Sequence, residues 1–500
     1  MKRVEVRAHR PKERPERSTE LAWRLAELAT ANAPDDDAVT EMVINRFIDN
    51  AAVAVCALDR APVSVARAQA LAHTRPGGAA IFGVPNNIRV HCEWAAWANS
   101  AAVRELDFHD AIIIDTGCHP GDNIPSLLAV AQQSRRSGMD LVRAVAVAYE
   151  VQIALAKDIP ISSFAFDHVG HLGPSIAAGL GKLLGLSSEV TYQALQHAGH
   201  VSLSTRQGRK GMLSSWKAFA PGHVGKLAIE AVDRAMRGES SPSPLYEGEY
   251  LGRLMGGPDV AYTIGLRDAD EPRAAILESY TKEHSAGYHG QAPIDLAFKM
   301  GRQIKDFDSI EKIDIHTKER SHYVMGSGSN DPEKWDPNAT RETLDHSMMF
   351  IFAVALQDGT FHHDKSYAPE RKQRPDTVRL WKKIQTVFDP EWERRFKEPP
   401  SIDKDHGARV VITFKDGTQM VDEMAVANSH PRGAAPFKRP DYIKKFRTLT
   451  EGIITSEESE RFLDLVQRLP ELGAAEVDAI NVQLDPKRLA AASQSVQGIF

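Results

Sequence analysis

RVHCEWAAWANSAAVREL (residues 89–106), ELDFHDAIIIDTGCHPGDN (105–123) and IPSLLAVAQQS (124–134) read together as a helix, a loop and a helix. In the first stretch the apolar residues recur at helical spacing, and Ala95, Ala96, Ala98 and Ala101 make a small face suited to close helix packing. The middle stretch gathers Asp107, His109, Asp110, Asp115, His119 and Asp122, then ends in the breaker pair Pro120-Gly121. Such a crowd of acids and imidazoles has no packing role, and loops on a rigid helical scaffold are where catalytic groups tend to sit. Asp107, at the end of the first helix, faces either solvent or a cleft.

The helical texture extends outward from this point. From Ser18 to about Gly238 nearly every segment repeats it, as in VINRFIDNAAVAVCAL, DLVRAVAVAYEVQIALA and GHVGKLAIEAVDRAMRG, with Gly185 and Gly238 as C-caps. SSPSPLYEGEYLGRLMGGPDV then reads as a linker or a loop crossing the site. Beyond it come a strand in IEKIDIHTK, a helix from about Arg341 to Gln357, a Pro-bounded helix from about Val378 to Val387, and a hairpin in ARVVITFKDGTQMVDEMAV. Asp416-Gly417 predicts a type I′ turn there. RPDYIKKFRTL and TSEESERFLDLVQRL are helices again, the second opened by a Thr455/Glu458 capping box. The predicted class is mainly α: a basic, disordered tail over 1–17, a helical domain over 18–274, a smaller α+β domain over 275–428, and C-terminal helices over 429–500.

Five hundred residues exceed the ~250–300 at which one core stops growing. The net charge of -6 argues against nucleic acid, so an anionic substrate would need local cations. No run approaches the ~20 apolar residues of a membrane span, and the opening MKRVEVRAHRPKERPERS lacks a signal-peptide core, which predicts a cytoplasmic protein. Cys56, Cys92 and Cys118 are too scattered for a disulfide framework or an iron–sulfur cluster.

Three further segments carry chemistry. His168 and His171 in FDHVGHLGPS could be metal ligands, but Gly170 and Gly173 break the register that would aim both at one ion; acid–base catalysis by one of them, or a structural role, fits better. TRQGRKGMLSSWKAFAPGH brings Arg206, Arg209, Lys210 and Lys217 ahead of a helix predicted to start at Pro221. That is either an anion site or a basic surface loop. Lys282 and His284 make another polar cluster. GLGKLLG at 179–185 lacks phosphate-loop spacing and reads as small-residue packing, and nothing demands a nucleotide cofactor or a metal.

Together these segments resemble the MmgE/PrpD family over nearly the whole chain. The resemblance rests on Leu106-Asp107-Phe108, on His119-Pro120 with Gly121-Asp122-Asn123, on Asp167-His168-Val169, on Ser215-Trp216-Lys217 and on Tyr288–Gln291. It is similar above all to the dehydrating members. The threonine of the family's decarboxylases is replaced by Ala111, and the loop before His119 is longer.

The resemblance implies a large helical domain closed by the C-terminal helices, an α+β lid, a site between them, and a homodimer. It places Asp107, His119, His168 and Lys217 in the catalytic set, with Lys282 and Arg206 binding substrate and no cofactor. The implied activity is elimination of water from the tricarboxylate 2-methylcitrate, with no nucleic-acid or membrane partner. The implied base is His119 or His168, and the acid Asp107 or the other histidine. A related polycarboxylate dehydratase or decarboxylase, and a non-catalytic tricarboxylate-binding helical protein, are the alternatives.

Overall fold

The computed structural model describes residues 1–485 apart from 11, 14, 115 and 258, and also residues 487, 488, 498 and 499. Its mainly α architecture is built on two apolar cores. The larger joins the helices between Leu21 and Met236 to Tyr442, Phe446, Phe462 and Val466 of the C-terminal helices Arg439–Thr450 and Ser456–Gln467. The smaller is confined to residues 286–412.

Packing in the first core depends on small residues. Helix Cys92–Glu105 crosses helix Trp216–Met236 so closely that a Cβ on Gly222 would stand 2.8 Å from the Trp97 carbonyl oxygen. Asp107 stands just past the end of the first helix and Lys217 in the first turn of the second, so the alanine and glycine pattern sets how near those side chains come.

Lys445, on the C-terminal helix, donates to Asp49 Oδ1 at 2.7 Å and to the carbonyls of Phe108 and Lys282, both at 2.8 Å. One ammonium thus ties two distant site segments together. Around the second core the sheet order is Ile384–Phe388, Ile310–Thr317, Ala408–Phe414, Gln419–Met424; the first pair is parallel and the others antiparallel. Helix Met348–Asp358, buried almost throughout, packs within this core.

Several expectations are corrected. The basic start is not a free tail: Lys2–Arg7 pairs antiparallel with Ala261–Leu266, and Val6 is buried. Valines alternating with charges give this strand one apolar edge that composition alone conceals. The stretch after Gly238 is not a linker over the site, because Tyr246, Tyr250 and Leu251 are buried in the first core. The 378–387 helix ends at Trp381, and the β-branched Ile384–Phe388 becomes a strand. The hairpin is not type I′: only Gly417 has positive φ (85°), and its N–H donates to Phe414 O, giving a three-residue loop with glycine in the left-handed position.

Two more corrections shape the site. Helix 216–236 starts before Pro221, and the carbonyl that Pro221 cannot serve, that of Lys217, accepts from Arg209 Nη1 at 3.3 Å. The helix predicted over 341–357 is interrupted between Arg341–Leu344 and Met348–Asp358, where the Ser347 hydroxyl caps Phe350 N at 3.3 Å. Asp345 and His346 occupy the break.

Candidate active site

A cavity of about 1000 Å³, counting its open mouth, lies between the two cores. Asp107, His119, His168, Arg206, Lys217 and Lys282 all line it. Seven lysines and arginines stand against three aspartates among the described lining residues. In a chain of net charge -6 this is a local reversal of sign suited to a polyanion.

Asp107 is the hub. It follows the C-cap Leu106 with φ 49°, a left-handed conformation that aspartate tolerates, and this turns its carboxylate back over the helix end. Oδ1 accepts from Arg104 Nη1 and from Lys282 Nζ, each at 2.5 Å, while Oδ2 faces Lys217 Nζ at 3.4 Å. Burial pushes this carboxyl up, but Arg104, Lys282 and Lys217 outweigh it and hold it well below the usual carboxylate range. Asp107 is therefore an ionised carboxylate, not the proton donor considered above; local sequence could not tell whether burial or cations would prevail.

The imidazoles are oriented from behind. His119 Nδ1 donates to the Asp110 carbonyl at 2.9 Å, which leaves Nε2 as the lone-pair nitrogen, 3.8 Å from Asp107 Oδ1. His168 Nδ1 lies 2.8 Å from Asp167 Oδ1, and its buried Nε2 has no hydrogen-bond partner. Asp167 is in turn held by Arg209 Nε at 2.8 Å. Burial holds both site histidines below the ordinary imidazole value, in His119 reinforced by Arg104 and Lys282, so both are neutral near pH 7. The two rings meet edge-on with centroids 5.5 Å apart.

The lysines are more heavily engaged than carboxylate clamps would be. Lys217 Nζ donates to Asp345 Oδ1 and Oδ2 at 2.7 and 2.9 Å, and Lys282 Nζ also donates to the Asp107 carbonyl at 2.7 Å. They bind protein carboxylates and fix the charge of Asp107. Burial lowers Lys282 to about 8 although Asp107 opposes the shift. Arg206, half-buried on the short helix Arg206–Arg209, has no side-chain partner among the described residues and is open to a ligand.

Other candidates are scaffold. His109 Nε2 pairs with Asp122 Oδ1 at 2.9 Å; Asp110 accepts from Gly121 N at 2.8 Å and Tyr149 OH at 2.9 Å. His171 Nε2 donates to Ile159 O at 2.9 Å, which directs it away from any ion shared with His168. His284 is spent on Asp295. Asp115 lies outside the described residues. Asp107, Asp345 and His346 are close enough to hold a metal, yet Lys217 Nζ sits within 3.4 Å of all three and already supplies the positive charge there.

His346, Asp345, Arg104, Arg320 and Lys334 escaped the sequence reading. His346 Nδ1 contacts Asp345 Oδ1 at 2.5 Å, and its Nε2 lies 3.6 Å from Asp107 Oδ2. The one available signal was that Asp345-His346 repeats the dipeptide Asp167-His168.

Comparison with known proteins gives a consistent picture. Residues 19–259 match the MmgE/PrpD N-terminal domain and residues 284–471 the MmgE/PrpD C-terminal domain. The chain is 26% identical over 421 residues to a Saccharomyces cerevisiae protein named probable 2-methylcitrate dehydratase, covering 78% of this chain and 76% of that one. It is 25% identical to the mitochondrial 2-methylcitrate dehydratase of Yarrowia lipolytica (77% and 73% covered). With the 2-methylcitrate dehydratase of Escherichia coli the identity is 23% (76% and 81% covered).

Proposed function

This chain belongs to the MmgE/PrpD family, and from that premise we propose that it is a hydro-lyase that converts 2-methylcitrate to 2-methyl-cis-aconitate in propionate breakdown by the methylcitrate cycle. The observation that carries this reading is a cation-rich cavity in which neutral imidazoles surround an ionised aspartate. The names of the relatives supply the substrate.

The reaction removes a proton α to one carboxylate and the hydroxyl β to it. The C–H bond is weakly acidic, so negative charge developing on that carboxylate must meet pre-placed cations. We assign the base to His168: its Nδ1 is held by a carboxylate, and its unpartnered Nε2 has the free lone pair. Arg206 binds a substrate carboxylate. Lys217, Lys282 and Arg104 hold Asp107 ionised, and the reading assigns no resident cofactor. Ala111, fully buried with its backbone paired to Tyr280, offers no hydroxyl to the site.

The test is incubation with 2-methylcitrate, citrate and cis-aconitate, before and after dialysis against chelator. A rise in absorbance from a new conjugated double bond with 2-methylcitrate, without carbon dioxide and insensitive to chelator, is expected. Carbon dioxide from cis-aconitate would make it a decarboxylase, and binding without turnover a tricarboxylate-binding protein.

Arg206→Ala is expected to raise KM about 10- to 100-fold, with kcat within about threefold, because a charge-assisted hydrogen bond to a non-reacting carboxylate contributes to ground and transition states alike. A fall confined to kcat would contradict this placement. The kcat/KM profile is expected to decline on its alkaline side near pH 8 as Lys282 loses its proton. In Lys282→Arg that limb moves to higher pH, since guanidinium stays charged; a limb that does not move would assign it to another group.

A further inference from the structure

Two acid–imidazole pairs of the same build line the cavity. Asp167-His168 belongs to the helical body, and Asp345-His346 to the break in the second core's helix. In each, the aspartate holds its neighbour's Nδ1, at 2.8 and 2.5 Å. The His346 side chain is 24% exposed against 14% for His168, so it is the more open to a ligand. A run of contacts joins the pairs: the His168 and His119 rings at 5.5 Å, His119 Nε2 to Asp107 Oδ1 at 3.8 Å, and Asp107 Oδ2 to His346 Nε2 at 3.6 Å.

We propose that His346 is the catalytic residue that protonates the departing hydroxyl, with Asp345 as its positioning residue. This rests on the dehydratase reading above. An elimination needs a donor as well as a base, and the other groups are committed: Asp107 is ionised, Lys282 is fully buried on Asp107, and Lys217 is locked between Asp345 and Asp107. Of these groups His346 has access to the cavity; burial and Lys217 lower its pKa while Asp345 and Asp107 raise it, and a bound polyanion favours the imidazolium, which keeps one proton on Nδ1 toward Asp345 and presents the other at Nε2.

The protons balance. The C–H bond breaks, its proton passes to His168 Nε2, and its electron pair forms the new double bond. The C–O bond breaks, and the oxygen takes the His346 proton and leaves as water. His168 is then protonated and His346 neutral; His168 gives its proton to solvent and His346 takes one from solvent through the open mouth of the cavity, which restores both.

The test compares 2-methylcitrate with the analogue carrying chloride in place of the tertiary hydroxyl, because chloride departs without protonation. His346→Gln and His346→Asn, at a partly open position that spares the core, are expected to lose about 10²- to 10⁴-fold in kcat on the hydroxy acid and less than about tenfold on the chloro analogue. His168→Gln loses on both. Equal losses of the His346 variants on the two substrates, or wild-type rates on the hydroxy acid, would overturn the assignment to His346 alone. Wild-type protein that turns over neither compound overturns the dehydratase reading and this assignment with it.

Discussion

Asp107→Asn is expected to cost about 3–5 kcal/mol of stability and to abolish turnover, since removing one partner of a buried ion cluster leaves uncompensated charge. Arg104 and Lys282 each lie 2.5 Å from Oδ1, in a setting where all three side chains are essentially fully buried. Asparagine tolerates the left-handed backbone at this position as aspartate does, so the substitution isolates charge from conformation. The pH dependence has a definite sign. The folded carboxyl titrates well below its ordinary value near 3.8, so its stabilisation is present above that value and is lost as pH falls toward the folded pKa. Urea midpoints of wild type and variant should differ at pH 7 and converge in acid. A constant gap would mean that the charge of Asp107 is not what stabilises the cluster.

His168→Gln should lower kcat on 2-methylcitrate by about 10²- to 10⁴-fold, the range of a positioned general base, and His119→Gln by less. His168 is the base in our assignment, backed by Asp167, while His119 has only the carbonyl of Asp110 behind it. Glutamine keeps a polar group in each place but cannot accept a proton near neutral pH. Thermal midpoints would confirm that the variants fold, and steady-state rates would rank the two histidines. If both variants retain near wild-type rates, neither imidazole takes the substrate proton; a larger loss at His119 would exchange their roles.

Much of the site was legible because its motifs are short and each lies where a helix begins or ends. Leu106-Asp107-Phe108 closes one helix, His119-Pro120 opens the next turn, and Ser215-Trp216-Lys217 starts another, so punctuation and reactive side chains coincide. Asp345 and His346 were missed for the opposite reason. Apolar residues run on at helical spacing on both sides, and only packing against the second core shows that the helix restarts at Met348 under a Ser347 cap whose hydroxyl also donates to Lys334 O at 2.8 Å. The turn at Gly417 was likewise decided by the pairing of its flanking strands, and at Ile384–Phe388 the β-branched residues found a parallel partner in Ile313–Thr317.

By itself the sequence determined the helical class, the α+β segment, the acid–imidazole loop and six residues of the cavity wall, because these are written in short-range periodicity and in residue types that chemistry needs. Only the tertiary structure decided the state of those residues. Lys445 reaches from the C-terminal helix to clamp the Asp107 and Lys282 segments, Lys217 crosses to Asp345, and the charge on Asp107 is the outcome of burial set against three cations from separate parts of the chain. Coulomb energies and desolvation depend on distances through space, and residues 104, 107, 217, 282 and 345 acquire those distances only when the chain folds.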